Sequence, residues 1–378
     1  MPAGLYVHIP FCHRKCHYCD FYSIPFQDRL ARQFVEALKE EISVISATRP
    51  WSEMLFSSLY VGGGTPTVLS GSQLKEIFEH CLNSFQFERE VECTIEANPE
   101  TTDAEKLGTL LDVGVNRLSL GVQSLEDDEL KRLGRIHTVE RALIAYRTAR
   151  AVGFENIGID LIFAIPGQSL ESWKATLKRA VGLQPEHIST YNLTVEPGTV
   201  YGKEIAAGKL SRPSEDTEAD MYAYVINFLG AQGYEHYEVS NFARPGFRSR
   251  HNQLYWDHSP YLGLGPSAHS FFESLRWERV RDVNEFIRRT QLGQPTISEE
   301  EELTLEKLMA EALFLALRTR EGLNVILFRE RFGADVEDVF GEAIEKYTDL
   351  KMLEREGPFL RLTREGFMVA NSICAEFV

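Results

Sequence analysis

Three cysteines near the N-terminus are the residues of this sequence best suited to hold a metal cofactor. Cys12, Cys16 and Cys19 are spaced C-x3-C-x2-C within one loop. Three thiolates at this spacing can each bind one iron of a 4Fe-4S cluster, and the fourth iron is then left without a protein ligand. Such an iron can bind a substrate or a cofactor directly. We therefore predict a 4Fe-4S cluster at these three cysteines.

A structural zinc ion is the alternative for the same loop, because zinc is commonly bound by cysteine together with histidine. Three histidines lie close to the cysteines in sequence: His8, His13 and His17. The other cysteines stand alone, and we expect them to be small buried side chains: Cys81, Cys93 and Cys374. Three of the six cysteines share one loop, which favours metal binding over a disulfide framework.

Polar or glycine-rich residues follow each of six apolar, β-rich segments. The predicted strands are residues 5–9, 58–61, 92–96, 117–120, 158–162 and 188–193. Helical patterns separate them; in residues 28–46, for example, Phe34, Leu38 and Ile42 recur on one face. Alternating strands and helices predict a parallel sheet, in which the strand ends meet at one rim where sites are built.

Several residues at these strand ends suit a polar cofactor. The glycines of GGGTP, residues 62–66, would let backbone N–H groups approach a ligand closely. Glu96, Gln123, Arg135 and Asp160 could bind a ribose, an amino group and a carboxylate. Taken singly, each of these features could instead be a turn, a helix cap or a salt bridge. Their convergence with the cysteine loop is what favours a cofactor pocket.

Six strand-helix units are too few for a closed eight-stranded barrel. We therefore predict an α/β protein with a partial (β/α)6 barrel of the TIM type, whose open side could admit a large substrate. A helix over residues 215–229 and a strand-like segment over residues 234–242 follow the predicted strands. We assign both to the same domain, at residues 1–297.

A second, smaller domain is predicted for residues 298–378. The charged residues 298–302 are expected to open a helix, and two further helices are expected at residues 324–332 and 336–347. The sequence GPFLRLTREG has the pattern of a hairpin. Short helices followed by a hairpin indicate a mainly helical, winged-helix-like module.

The charge of the chain bears on its partners. The 56 acidic residues outnumber the 40 basic ones, and the formal net charge is -16. Such an excess repels a phosphate backbone, so we expect no nucleic acid partner. The first residues, MPAGLYVHIPFC, show neither a signal-peptide pattern nor a membrane-spanning segment, and we expect a cytoplasmic protein.

Six motifs of the chain resemble the radical S-adenosylmethionine (SAM) family that contains HemN and HemW. They are YVHIPFCHRKCHYCDF, VGGGTPT, EANPE, GVQS, GRIH and DLIFAIPGQ. HemN is the oxygen-independent coproporphyrinogen III dehydrogenase, and HemW is regarded as a haem chaperone. The resemblance covers nearly the whole chain and implies a partial radical SAM barrel followed by a small C-terminal domain. It also implies that an electron from the reduced cluster cleaves SAM.

The resemblance also implies roles for individual residues. Cys12, Cys16 and Cys19 would bind the cluster, and the amino and carboxylate groups of SAM would occupy its fourth iron. The residues implied to form the SAM pocket are Tyr6, Gly63, Gly64, Thr65, Glu96, Gln123, Arg135, Asp160 and Thr194.

Three features distinguish this chain from the HemN pattern. Phe21 stands where HemN has a fourth cysteine that is needed for activity. Five residues precede Tyr6, so we expect no N-terminal extension of the kind that covers the active site in HemN. The sequence HNQLYW, residues 251–256, matches the H-N-x-x-Y-W sequence associated with haem binding in HemW.

The HNQLYW segment therefore implies a haem site. An imidazole can ligate haem iron and aromatic rings can pack on the macrocycle, so the resemblance implies His251 as axial ligand, with Tyr255 and Trp256 beside it. Three arginines upstream could pair with the propionates: Arg244, Arg248 and Arg250. Without the resemblance, a structural hydrogen-bonding histidine is the better interpretation of His251.

Two functional hypotheses follow. The first is a haem chaperone that carries a 4Fe-4S cluster and SAM and delivers haem to acceptor proteins such as respiratory haem proteins. The second is an oxygen-independent coproporphyrinogen III dehydrogenase, an activity that we predict to be absent. A radical modification of RNA is disfavoured by the acidic charge. The resemblance also implies a homodimer, and the apolar C-terminal helices could support dimerisation or peripheral membrane association.

Overall fold

The computed structural model describes residues 2–377. The strands are Ala3–Ile9 (β1), Phe11–Cys12 (β2), Ile24–Pro25 (β3), Leu55–Gly63 (β4), Gln86–Ala97 (β5), Arg117–Gln123 (β6), Ile157–Phe163 (β7), His187–Asn192 (β8), Glu235–His236 (β9), Asn241–Ala243 (β10), Tyr261–Leu264 (β11), His269–Phe272 (β12), Leu275–Arg279 (β13), Ile297–Glu302 (β14), Leu323–Asn324 (β15), Leu353–Glu356 (β16) and Phe359–Leu362 (β17). The helices are Asp28–Ser46 (α1), Gly71–Ser84 (α2), Ala104–Asp112 (α3), Asp127–Leu133 (α4), Val139–Val152 (α5), Leu170–Gly182 (α6), Val200–Ala206 (α7), Glu215–Ala231 (α8), Arg250–Trp256 (α9), Val283–Gln291 (α10), Leu305–Ala316 (α11), Val325–Phe332 (α12), Val336–Asp349 (α13), Arg364–Met368 (α14) and Ala370–Cys374 (α15).

One large mixed sheet organises most of the chain. Its strand order is β14-β13-β12-β11-β1-β4-β5-β6-β7-β8-β10-β9. The six central strands from β1 to β8 are parallel, as predicted, and β11 extends the parallel part on the far side of β1. Antiparallel strands continue the sheet at both edges. The sheet is therefore open, and the carboxyl ends of its parallel strands lie along one rim.

The central strands alternate between an apolar face and a polar face. On β4, Leu59 and Val61 are buried in the main hydrophobic cluster, while Ser58 and Tyr60 face the opposite side of the sheet. Helix α1 contributes Phe34, Leu38 and Ile42 to that cluster, as its periodicity predicts. Because helices pack against the apolar face, the opposite face can carry polar groups.

Two of the predicted elements differ from the structure. Residues 298–302 were expected to open a helix, but they belong to β14, whose glutamates pair in register with β13 at the edge of the sheet. Charged side chains are common on edge strands because they discourage pairing with other chains. The strand-like segment 234–242 forms two short strands, β9 and β10, instead of one.

The C-terminal region has a separate core. Its buried apolar residues run from Met309 to Phe377 and form a cluster distinct from the one beside the large sheet. Helices α11, α12 and α13 accompany a three-stranded antiparallel sheet of order β15-β17-β16, whose strand β15 lies between α11 and α12 in the chain. The predicted short helices and hairpin are thus confirmed, and the arrangement is winged-helix-like. Residue 298, where we predicted the second domain to begin, lies within β14 of the large sheet.

Among residues 2–377, every helix is too short or too polar to cross a lipid bilayer. The isolated cysteines are buried as expected: Cys81, Cys93 and Cys374. Their thiols are packed among apolar side chains of the two hydrophobic clusters.

Candidate cofactor pocket and the HNQLYW helix

A cavity of about 550 Å³ opens at the carboxyl ends of the parallel strands. It brings together most of the residues that were predicted to hold the cluster and SAM: Cys12, Cys16, Cys19, Gly63, Gly64, Thr65, Glu96, Gln123, Arg135, Asp160 and Thr194. Most of these residues come from β2, from the following loop and from positions in or just after β4 to β8, and Arg135 follows α4. Parallel strands deliver them to one rim, which is the physical reason that the sequence argument succeeds here.

The cysteine loop forms one wall of this cavity. Backbone hydrogen bonds tie it to the glycine-rich loop, since Thr65 N donates to Phe11 O at 2.8 Å and Gly64 N donates to Ile9 O at 2.9 Å. Burial raises the pKa of Cys19 to about 11, and burial also raises the pKa of Cys12. The free thiols therefore keep their protons at neutral pH, and binding a metal would release them.

The donor set suits a 4Fe-4S cluster better than it suits zinc. His8, one of the three histidines that could complete a zinc site, is buried, and both of its ring nitrogens are engaged, with Tyr6 Oη at 3.1 Å and Tyr22 O at 2.9 Å. His17 Nδ1 is bonded to Arg132 O at 3.0 Å. Among residues 2–377, no three potential ligands are grouped closely enough to hold a single metal ion. A cubane does not require such a group, because each thiolate binds its own iron.

The glycine-rich loop can follow its path only with glycine at two positions. Gly63 has φ +110°, and a Cβ there would lie 2.6 Å from the His8 ring. A Cβ on Gly64 would lie 2.6 Å from Phe11 O. Gly63 N donates to Glu96 Oε2 at 3.0 Å, so the loop is also fixed to β5. The glycines therefore serve close contacts with the protein itself beside the cavity, and their close approach to a ligand stays a prediction.

Two carboxylates lie at the base of the cavity. Glu96 accepts a hydrogen bond from Tyr60 Oη at 2.8 Å, and Asp160 accepts from Ser119 Oγ at 2.9 Å and from Ser189 Oγ at 2.7 Å. Burial, helped by the nearby charge of Asp160 and opposed by the Tyr60 bond, raises the pKa of Glu96 to about 7. Burial also raises the pKa of Asp160. The oxygens of both groups can accept hydrogen bonds from a polar ligand.

Backbone strain marks a further part of the cavity. Gln123, at the end of β6, has φ +68°, a conformation that residues other than glycine seldom adopt. Such strain persists where the surrounding structure requires it, and it is concentrated at functional sites. The position of Gln123 at the cavity wall is consistent with the binding role predicted for it.

Arg135 and Asn98 link the cysteines to the rest of the cavity. Arg135 Nη1 donates to Cys16 Sγ at 3.5 Å, and its Nη2 donates to Asn98 Oδ1 at 2.6 Å. Asn98 Nδ2 donates to Thr65 Oγ1 at 2.9 Å, and Thr65 Oγ1 lies 3.5 Å from Cys12 Sγ. Asn98 lies in the EANPE motif but was not among the residues predicted to bind a ligand. Its position directly after the end of β5 could have indicated it.

Tyr60 is a second residue that the sequence argument missed. It lies two positions before GGGTP on the polar face of β4, so the period of a β-strand would have pointed to it. Tyr6, by contrast, was predicted for the SAM pocket but contacts His8 and the rings of Tyr60 and His251 instead of the cavity. Phe21, at the position where the resemblance implies a cysteine in HemN, lines the rim with 69% of its surface exposed.

The HNQLYW helix, α9, is placed differently from what the haem hypothesis requires. His251 is 2% exposed, its Nδ1 lies 2.8 Å from Ser58 Oγ, and its Nε2 lies 2.9 Å from Tyr255 Oη. The ring stacks on Tyr60 with centroids 4.9 Å apart. Burial, with a smaller contribution from Arg117, lowers the pKa of His251 to about 3. Both nitrogens of the ring are therefore engaged in this conformation, and His251 as the axial ligand of haem stays a prediction.

Apart from Trp256, the other residues predicted to bind haem are also engaged within the protein. Trp256 is half-buried at the end of α9. The three arginines expected to meet propionates already have partners. Arg244 lies over the Tyr234 ring at 4.8 Å, Arg248 pairs with Glu235 and Glu321, and Arg250 pairs with Glu88.

An open, largely parallel sheet with three thiols at its rim defines the class of radical SAM proteins. A family model described as the radical SAM superfamily matches residues 6–180, and a model described as the HemN C-terminal domain matches residues 303–369. The chain is 35% identical to the heme chaperone HemW of Lactococcus lactis, covering 100% of this chain and 97% of that protein. It is also 35% identical to the heme chaperone HemW of Bacillus subtilis, with 99% and 98% covered. The chain belongs to the HemW family.

The fold is also that of a solved relative. The structure of coproporphyrinogen III oxidase (HemN) from Escherichia coli, described as a radical SAM enzyme, superimposes with a TM-score of 0.85 at 26% identity. The match covers 100% of this chain and 90% of that chain. The predicted family and the predicted fold class, a radical SAM barrel followed by a small C-terminal domain, are therefore confirmed.

Proposed function

We propose that this protein is a haem chaperone that carries a 4Fe-4S cluster and SAM and delivers haem to acceptor proteins. The observation that carries the proposal is the cavity in which three thiols, a glycine-rich loop and paired carboxylates converge. The proposed chaperone activity is supported by full-length similarity to two proteins named heme chaperone HemW.

In this proposal Cys12, Cys16 and Cys19 hold the cluster. When bound and reduced, such a cluster supplies one electron to the sulfonium of SAM. Glu96 and Asp160 would accept hydrogen bonds from polar groups of SAM, and the backbone of the glycine-rich loop would border the ligand closely. The remaining residues proposed for the pocket are Gly63, Gly64, Thr65, Gln123, Arg135 and Thr194. The contact of Arg135 with Cys16 places a positive charge beside a proposed cluster ligand.

Haem binding is proposed at the HNQLYW helix, with His251 as axial ligand and Tyr255 and Trp256 beside the macrocycle. Ligation requires one ring nitrogen of His251 to give up its bond with Ser58 or with Tyr255, because an engaged nitrogen cannot coordinate iron. The proposed haem site therefore demands a rearrangement around His251, whereas the proposed SAM site does not. We also propose respiratory haem proteins as acceptors, a cytoplasmic location, a homodimer and peripheral membrane association.

Coproporphyrinogen III dehydrogenase activity is the second candidate, favoured by the structural similarity to HemN. Phe21 weighs against it, since the HemN pattern has a cysteine needed for activity at this position. We expect neither carbon dioxide nor protoporphyrinogen from coproporphyrinogen III under anaerobic, reducing conditions. Turnover with SAM would replace the chaperone proposal by the dehydrogenase.

The proposal is tested by anaerobic reconstitution with iron and sulfide, followed by titration with haem. Wild type is expected to bind about four irons per chain and one haem. Cys16→Ala should lose the cluster and keep the haem, and His251→Ala should do the reverse. A cluster without haem in wild type would reject the chaperone, and zinc in place of iron would reject the radical SAM site.

A further inference from the structure

We propose that Asn98 is a positioning residue that directs one hydrogen bond onto each of two cluster ligands, Cys12 and Cys16. The inference rests on the proposed 4Fe-4S cluster. Its basis is a continuous path of contacts between the two cysteines. On one side, Thr65 Oγ1 lies 3.5 Å from Cys12 Sγ and 2.9 Å from Asn98 Nδ2. On the other side, Arg135 Nη2 lies 2.6 Å from Asn98 Oδ1, and Arg135 Nη1 lies 3.5 Å from Cys16 Sγ.

The direction of every bond in this path follows from the chemistry of Arg135. A guanidinium only donates, so the atom of Asn98 that faces it must be the oxygen. The amide nitrogen then faces Thr65, whose hydroxyl oxygen must accept from it. The single proton of that hydroxyl is left free to point at Cys12 Sγ, and an iron-bound thiolate can only accept. One asparagine therefore orients a donor toward each of the two sulfurs.

The surrounding backbone holds Asn98 in this orientation. Asn98 N donates to Thr67 Oγ1 at 3.3 Å at the end of β5, and Thr65 is 4% exposed. On β6, a Cβ at Gly121 would lie 2.8 Å from Asn98 Oδ1, so glycine leaves room for the amide. Gly121 O also accepts from Arg135 Nη2 at 3.1 Å. Both partners of Asn98 are thus fixed independently of any ligand.

These two bonds should raise the reduction potential of the cluster. Reduction adds negative charge to the cluster and its thiolates, so hydrogen bonds to sulfur stabilise the reduced state more than the oxidised state. Asn98→Ala removes the link to both donors. Asn98→Asp keeps an acceptor for Arg135 but cannot donate to Thr65, so the Thr65 proton turns away from Cys12 and a negative charge is added. Both variants should therefore shift the potential downward.

The experiment is a redox titration of the reconstituted, full-length protein without SAM, followed by electron paramagnetic resonance of the reduced cluster. Wild type is compared with Asn98→Ala, Asn98→Asp and the control Asn116→Ala. Asn116 also bridges two partners, Cys93 N at 2.9 Å and Val91 O at 2.8 Å, but it lies on an exposed turn outside the cavity. We expect lower potentials for both Asn98 variants and an unchanged potential for the control.

Each outcome decides between the alternatives. Wild-type potentials in Asn98 variants that hold a full cluster would overturn the positioning role. If neither variant holds a cluster, thermal unfolding of the cluster-free proteins decides. An unchanged melting temperature supports the positioning of the thiols by Asn98, and a lowered one in both assigns Asn98 a merely structural role and overturns the proposal. A wild type without a cluster would instead reject the proposed function on which this inference rests.

Discussion

The cofactor pocket and the HNQLYW helix differ in where their polar groups point. In the pocket, the side chains of Glu96, Asp160 and the three cysteines border an open cavity. In the helix, His251 and Tyr255 bond to each other, and His251 also bonds to Ser58 inside the sheet. The pocket therefore presents polar side chains to a cavity. The polar groups of the helix instead bond within the protein and contribute to its stability. Matching residue types alone does not distinguish these two situations.

The largest expected effect is the loss of the cluster when one pocket thiol is removed. Cys16→Ala should abolish nearly all iron and sulfide binding, because two thiolates cannot hold a cubane with a free fourth iron. Iron and sulfide analysis with absorbance spectroscopy measures it. Cys93→Ala is the matched control, since Cys93 is buried outside the cavity and should keep the cluster. Full iron content in Cys16→Ala would place the cluster elsewhere.

The next effect concerns the stability that the helix contributes. His251→Ala removes a buried ring, two hydrogen bonds and the stack on Tyr60, and we expect the free energy of unfolding to fall by about 3 kcal/mol. Urea denaturation of the protein without cofactors measures it. His269, whose side chain is 52% exposed, provides the control, and His269→Ala should change stability by less than about 0.5 kcal/mol. Equal effects would show that α9 is not held as described.

The central sheet and the pocket could be predicted from sequence because their signals are local. Each strand end is marked by a short motif, and parallel topology brings those ends together whatever the details of packing. The position of Asn98 in EANPE and that of Tyr60 two residues before GGGTP were equally local, and they could have been found by strand periodicity.

The environment of His251 could not be predicted in the same way. Its partner Ser58 is 193 residues distant in sequence, and no local pattern reports that contact. The glutamates of β14 misled us for a related reason. A run of glutamates suits a helix by propensity, but pairing with β13 decides its structure. Long-range partners thus determine both the surroundings of His251 and the structure of residues 298–302.

The pH dependence of stability provides a sharper test of how the helix is held. The folded pKa of His251 is about 3, below its unfolded value of about 6.5, so the unfolded state binds more protons as the pH falls below 6.5. Stability is therefore lost on acidification. His251→Gln removes this contribution to the pH dependence. The free energy of unfolding of the variant is lower than that of wild type at pH 7, and this difference should shrink by about 2 kcal/mol between pH 7 and pH 5.

Urea denaturation at the two pH values gives the comparison. His8 and His236, whose pKa values are each lowered to about 4, mainly by burial, remain in both proteins and cancel in the difference. A deficit that stays constant with pH would mean that the imidazole of His251 is accessible to protons in the folded state. The contrast between the helix and the open pocket would then be lost.

The smallest effect is expected at Tyr60, which touches both regions. Tyr60→Phe removes the hydrogen bond to Glu96 and keeps a ring against His251. SAM affinity should weaken by about 1 kcal/mol, roughly five-fold, and haem affinity should not change. Titration calorimetry of the reconstituted protein measures the former and absorbance titration the latter. Tyr222→Phe, which loses a hydroxyl bonded to Val239 O at 2.7 Å, is the control and should alter neither. Equal losses of SAM and haem affinity in Tyr60→Phe would show that the two regions are energetically coupled, because the hydroxyl itself contacts only the pocket side.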